Sequence, residues 1–206
     1  MRRPEFIARQ ARCPSGFLGH VTARVMALET AADNARAVEL LAPRSVDHIL
    51  EVGFAHGRTI QFVANLAKNG FVAGVEISER MLRMASRFNR GLIEQGRVEL
   101  KLGKGIEIPY GDALFDGVFS VHTLYFWRNP RDTLAEIRRV MKADGRLVLG
   151  FRSGEDPGIV RDFPASMYRF YRREEVEGLL EDAGFGEVSL MSSGDDPRKV
   201  VFAVAR

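Results

Sequence analysis

From His48 to Phe151 the chain alternates short apolar runs with stretches of helical periodicity, and this rhythm restricts the fold more than any other feature. His48–Val52, Phe71–Ile77, Val98–Leu102, Phe115–Val121 and Arg146–Phe151 read as strands. Thr59–Lys68, Ser78 to about Gln95, and about Arg131 to Met141 carry apolar residues at helical spacing. Ser78 is placed to cap the second of these, and Asn129-Pro130 opens the third. Asn69-Gly70 and Asp144-Gly145 are stop signals. Alternation of this kind implies a doubly wound parallel sheet with helices on both faces. Beyond it, 152–167 is loop-like, Arg173–Ala183 is helical, and Glu187–Met191 and Val200–Ala205 are two final strands read as a hairpin. Their connection is too short for a parallel crossover. The expected fold is α/β: a Rossmann-like sheet of seven strands, mostly parallel, with an antiparallel strand near the C-terminus.

The first 45 residues stand outside this rhythm. Residues 1–16 are polar, Arg-rich and broken by Pro4, Pro14 and Gly16; Phe17–Leu41 reads as one or two helices, and Pro43 ends it. Residues 1–45 are therefore expected to be a helical segment covering a pocket in a domain spanning 46–206. Net charge is +3 with a pI of about 9.2, the basic residues being dispersed, so nucleic acid is not the expected partner. One cysteine, Cys13, excludes an internal disulfide and a Cys-based metal cluster. His20, His48, His56 and His122 are scattered, and no metal site is expected. Without a signal-like start or a long apolar run, the expected location is cytoplasmic. The apolar stripe of the N-terminal helix would suit packing on the domain, a greasy substrate, or a peripheral membrane contact. Oligomeric state is not legible.

The stretch Ile49 to Gly57, ILEVGFAHG, is a strand feeding a small-residue turn at a helix start. Absent side chains let a ligand approach the backbone, and unpaired N–H groups face it. A dinucleotide fingerprint would need glycines at Ala55 and Arg58. A P-loop would need Gly-Lys-Ser or Gly-Lys-Thr where Gly57-Arg58-Thr59 stands. Glu51 at the mouth argues for a ligand with a positive group. Glu76, ending the second strand, is placed to accept the two hydroxyls of a ribose. A cationic amino-acid end, a ribose, a base and no phosphate describe S-adenosylmethionine.

At this point the chain resembles the class I S-adenosylmethionine-dependent methyltransferases, of the small kind that includes ubiquinone and menaquinone C-methyltransferases. Glu51 to Gly57 is similar to the acidic-x-G-x-G-x-G motif, with Ala55 at the middle glycine. Leu102 to Asp116, Leu134 to Gly150 and Glu177 to Val188 resemble three further family segments, so the likeness spans roughly 46–206. It implies that Glu51, Gly53, Phe54, Ala55, Gly57, Glu76, Ile77, Lys104, Gly105, Ile106, Ser120 and Val121 hold the cofactor. Lys104 stands where the family has an aspartate that accepts from the adenine amino group; lysine only donates.

Methyl transfer from a sulfonium mainly requires positioning of the nucleophile. The acceptor should lie beyond the fourth strand. His122 is the candidate base. Tyr125, the other candidate catalytic group, is read with Phe126 and Trp127 as an aromatic wall facing the sulfonium. His20, Trp127, Arg152 and Tyr168 are candidate substrate contacts. His56 is expected to face solvent. The favoured reading is transfer to a small, apolar or lipid-like molecule. Two others stay open: an idle methyltransferase-like binding module, suggested by Lys104 and Ala55, and an RNA or protein methyltransferase, suggested by the basic pI.

Overall fold

The computed structural model describes residues 29–192 and 200–206. The elements run α1 (Ala31–Leu41), β1 (His48–Val52), α2 (Arg58–Leu66), β2 (Phe71–Glu76), α3 (Glu79–Phe88), α4 (Arg90–Glu94), β3 (Val98–Leu102) and β4 (Phe115–Val121). A 3₁₀ turn (Leu124–Phe126) follows, then α5 (Pro130–Val140), β5 (Met141–Arg152), α6 (Pro157–Asp162), α7 (Arg173–Asp182), β6 (Val188–Ser192) and β7 (Val200–Ala205).

The seven strands lie in the order β3-β2-β1-β4-β5-β7-β6. Pairs β1–β2, β1–β4, β2–β3 and β4–β5 are parallel, and β7 runs antiparallel to both β5 and β6. The expected antiparallel strand is thus β7, wedged inside the sheet rather than at its rim, with β6 outside it. Central strands are apolar on both faces because helices cover both. Ile49, Phe119 and Val148 pack with Ala37, Val38 and Leu41 of α1 and with Ile60 and Val63 of α2. Leu50, Val118 and Leu147 pack on the other side with Leu134 and Ile137 of α5 and Val176 and Leu180 of α7. Strand order reverses between β1 and β4, and that reversal opens a crevice at the carboxyl ends of the two strands.

Three local differences from the sequence reading have physical causes. The helix expected from Ser78 to Gln95 breaks at Asn89. That side chain is buried and donates from Nδ2 to the Ala85 and Gly57 carbonyls at 2.9 and 3.0 Å. It therefore ties the end of α3 to the glycine turn after β1. Gly57 permits the approach: its φ is +77°, and a Cβ there would lie 2.6 Å from the Ala85 Cβ. Secondly, β5 begins at Met141, ahead of the Asp144-Gly145 stop. Its register skips from Phe115↔Met141 to Gly117↔Arg146, so 142–145 bulge from the ladder. Thirdly, 152–167 holds the one-and-a-half-turn α6, capped by the Asp156 carboxylate and opened by Pro157.

Candidate functional site

A cavity of about 520 Å³ occupies the crevice. β1 delivers Glu51, and the turn after it adds Gly53, Phe54 and Ala55. β2 delivers Glu76 and the following Ile77. The loop after β3 adds Lys104, Gly105 and Ile106, and the end of β4 adds Val121 and His122, all lining the cavity. The β3–β4 loop is pinned to α5: Arg139 donates to the Ile108 and Tyr110 carbonyls at 3.0 Å, and the Ile108 N–H donates to Glu136 at 2.9 Å.

The turn after β1 is wired to the end of β2. Gly53 N–H donates to the Val75 carbonyl at 2.8 Å. The Glu76 carboxylate accepts from the N–H groups of Ala55 at 3.0 Å and Ser78 at 2.9 Å. The Ile77 N–H also acts on this carboxylate, and of its roughly four acceptor sites these donors leave capacity for a ribose hydroxyl. Burial holds the Glu76 carboxyl above its usual range, against the lowering effect of those backbone donors. Glu51 is more extreme. It is 4% exposed, and its Oε2 has no hydrogen-bond partner among the described residues. Burial first, and the neighbouring Glu76 second, push its carboxyl well above the ordinary carboxylate range. A buried carboxylate lacking a partner is costly, and a cationic ligand would supply the missing charge.

Ala55 adopts φ +45° and His122 φ +60°, both left-handed conformations that cost an L-residue about 1–2 kcal/mol. Gly53, at φ +83°, has no room for a side chain, since a Cβ would lie 2.5 Å from the Thr123 methyl.

Beyond the turn, the structure separates the candidate residues. Gly57 and Ser120 do not line the cavity. Gly57 caps α2, while the Ser120 hydroxyl donates to the Val52 carbonyl at 2.6 Å and bonds Thr123. Trp127 and Phe126 line the cavity, but Tyr125 is turned inward. It is 6% exposed, clustered with Phe126, Tyr168 and Phe170, and burial raises its phenol pKa. A buried neutral phenol away from the cavity does not meet substrate. Instead its oxygen accepts from the Arg152 N–H at 2.9 Å and lies 2.8 Å from His122 Nδ1. Arg152 and Tyr168 also lie off the cavity, Tyr168 being a buried member of the aromatic cluster. His20 lies outside the described residues. His56, expected to face solvent, lines the cavity, and its Nδ1 accepts from the Arg58 N–H at 3.2 Å. Burial and the Arg58 charge lower its pKa.

Several lining residues had no sequence signal as contacts. Thr123, Arg128 and Thr133 join the cavity by way of the loop after β4 and α5, and Thr59 by way of α2. Thr30, the N-cap of α1, and Asn34 within it also line the cavity; both lie on the helix that the sequence leads us to expect as a cover over the pocket. The neighbouring Asp33 places its Oδ2 2.9 Å from His122 Nε2.

A family profile described as "Methyltransferase domain" matches residues 50–149, the stretch holding both carboxylates, the glycine turn and the end of β4. Over that stretch, just under half of its length, the chain is a class I S-adenosylmethionine-dependent methyltransferase domain. It is 27% identical over 151 residues to an O-methyltransferase, cnsE, of Penicillium expansum, covering 70% of this chain and 54% of that protein. It is 36% identical over 106 residues to a demethylmenaquinone methyltransferase of Symbiobacterium thermophilum, covering 51% and 42%. The chain thus spans about half the length of these curated relatives. In fold it is similar to the geranyl diphosphate C-methyltransferase of Streptomyces coelicolor A3(2), solved with S-adenosyl-L-homocysteine. There the TM-score is 0.69 at 14% identity, over 85% of this chain and 77% of that one. At that identity the likeness speaks for the fold alone.

The cofactor of class I methyltransferases, S-adenosylmethionine, fits the residues present. Glu51, buried and short of a partner, suits its ammonium group. Glu76 has acceptor capacity for a ribose hydroxyl. Gly53 and the Ala55 turn leave space against the backbone. Lys104 is exposed and offers the adenine no acceptor, leaving that contact to the backbone at Gly105 and Ile106.

Proposed function

We propose that this protein transfers the methyl group of S-adenosylmethionine to a small, apolar or lipid-like acceptor. The observation that carries the reading is the division of one cavity into two chemistries. Its β1–β2 end holds two buried carboxylates, and its β4 end is walled by Val121, Phe126 and Trp127. When bound, the cofactor supplies an activated methyl on a sulfonium, which an acceptor displaces in line. What the chain contributes is placement: Glu51 and Glu76 fix the amino-acid and ribose ends, and the aromatic wall presents apolar surface to the acceptor and π-faces to positive charge. The relatives with named activities methylate oxygen in one case and a quinone precursor in another, which supports the reaction class and leaves the acceptor atom open.

A second reading is an idle binding module, favoured by Lys104 and by the strained Ala55. Titration calorimetry with S-adenosylhomocysteine, followed by label transfer from methyl-labelled S-adenosylmethionine to phenols, quinols and prenyl lipids, separates the two. Absence of binding at millimolar concentration defeats both readings. Binding without transfer to any acceptor leaves the module.

A further inference from the structure

Both ring nitrogens of His122 are engaged. The Tyr125 hydroxyl accepts from the Arg152 N–H at 2.9 Å and lies 2.8 Å from His122 Nδ1; where it donates its own proton there, Nδ1 is the accepting nitrogen of the ring. The ring proton then resides on Nε2 and is donated to the Asp33 carboxylate at 2.9 Å. In this arrangement a neutral imidazole has no lone pair left to take a proton from an acceptor. Its partner Asp33 comes from another part of the fold, the first turn of α1. That turn carries Thr30 and Asn34, which line the same cavity as Glu51 and Gly53. The apolar anchoring of α1 begins only later, at Ala37, Val38 and Leu41. Residues 31, 32, 35 and 36 are exposed. The Asp33–His122 bond therefore joins a turn with little burial of its own to the end of β4, at the cavity.

We infer that Asp33 is a positioning residue whose hydrogen bond to His122 latches the first turn of α1 over the cavity and sets the rate at which ligand enters and leaves. The left-handed backbone of His122, φ +60°, fits such a role, because strained residues persist where surrounding contacts over-determine them. The inference rests on the reading of this cavity as the cofactor site, but one of its tests does not.

Trp127 is the single tryptophan of the chain and lines the cavity, so its fluorescence reports occupancy directly. Stopped-flow mixing with S-adenosylhomocysteine should show that Asp33→Ala raises association and dissociation rate constants together, each by about tenfold, the size set by one charge-assisted hydrogen bond. Asp33→Asn keeps an oxygen to accept from Nε2–H and should restore rates close to those of the unsubstituted protein. A purely structural role would lower the unfolding midpoint without accelerating both rates together. Unchanged rates in Asp33→Ala, or rates in Asp33→Asn as fast as in Asp33→Ala, overturn the latch. The second test uses the protein without ligand: Asp33→Ala should speed hydrogen exchange of amides 34–36, the first with helical acceptors, by about tenfold while leaving 38–41 unchanged. Uniform exchange across α1 in both proteins overturns the inference. If the unsubstituted protein shows no calorimetric binding of S-adenosylhomocysteine, the cofactor reading fails, while the exchange result still decides the latch.

Discussion

The backbone N–H of Ala55 donates to the Glu76 carboxylate across the gap between β1 and β2, at 3.0 Å. The acid at the end of β2 thus shapes the turn after β1 as well as facing the cavity. Glu76→Ala removes the acceptor for Ala55 and Ser78 along with any bond to ribose. We expect it to weaken S-adenosylhomocysteine binding by about 1.5–3 kcal/mol, the range for hydrogen bonds to a charged group. Glu76→Gln keeps one oxygen, whereas its NH₂ cannot accept from a backbone N–H, so its loss should fall between the two. Calorimetry on the three proteins checks the order; equal affinity throughout would refute the ribose assignment.

Glu51 carries a pH dependence. Its carboxyl is held well above the ordinary glutamate value of about 4.3, so the folded protein binds that proton more tightly than the unfolded chain. The stability this contributes is fully present below about pH 4.3 and is lost as pH rises through the raised folded value. Ligand acts in the opposite sense, because an ammonium group favours the ionised carboxylate. Affinity for S-adenosylhomocysteine should climb with pH over the same window, with proton release on binding. Titrations in buffers of different ionisation heat measure that release. Glu51→Gln should flatten most of the dependence, leaving the smaller part due to Glu76. A flat profile in the unsubstituted protein would remove Glu51 from the ammonium site.

The legible parts of this molecule were those written in local periodicity. The strands β1, β2 and β4 announce themselves because both faces are buried and their runs are mostly apolar, whereas β3, at the sheet edge, shows only as the alternation Val98, Leu100, Leu102. The glycine turn does so because a backbone approach excludes side chains, and the two glutamates because one ends its strand and the other stands one residue before the end. What escaped was tertiary. Asp33 and His122 are 89 residues apart, and nothing in AADNARAVELL distinguishes the aspartate that crosses to β4 from a solvated one. Tyr125 was misplaced because three successive aromatics leave open which of them turns inward; the 3₁₀ turn decides it. Asn89 looked like one more helical residue, yet its side chain competes for the Ala85 carbonyl and ends α3. α6 did leave a signal, Asp156-Pro157, which the surrounding glycines and prolines obscured.

Gly53→Ala tests how tightly the turn is built. The substitution meets two independent obstacles, φ +83° and a Cβ position 2.5 Å from the Thr123 methyl. The backbone part alone costs about 1–2 kcal/mol. Thr123→Ser removes the obstructing methyl while keeping the hydroxyl that bonds Ser120. Urea unfolding of both single variants and the double should give a favourable coupling of about 0.5–3 kcal/mol, the range for residues in direct contact. Strict additivity would show that the turn moves away from Thr123 at no cost.

Ala55 offers the converse experiment. It is an L-residue at φ +45°, where the family motif has glycine. Relief of that backbone strain in Ala55→Gly should gain about 1–2 kcal/mol. The added freedom of the unfolded chain returns about 0.4–1 kcal/mol of this. A net stabilisation of about 0.5–1 kcal/mol is expected, read as a higher urea midpoint at unchanged slope. The N–H that Glu76 accepts is retained, so affinity for S-adenosylhomocysteine should hold or rise as the methyl leaves the cavity lining. If the midpoint falls, the Ala55 methyl is making contacts worth more than the strain. Its presence in place of glycine would then be a packing choice of this chain and not a weakness of its cofactor turn.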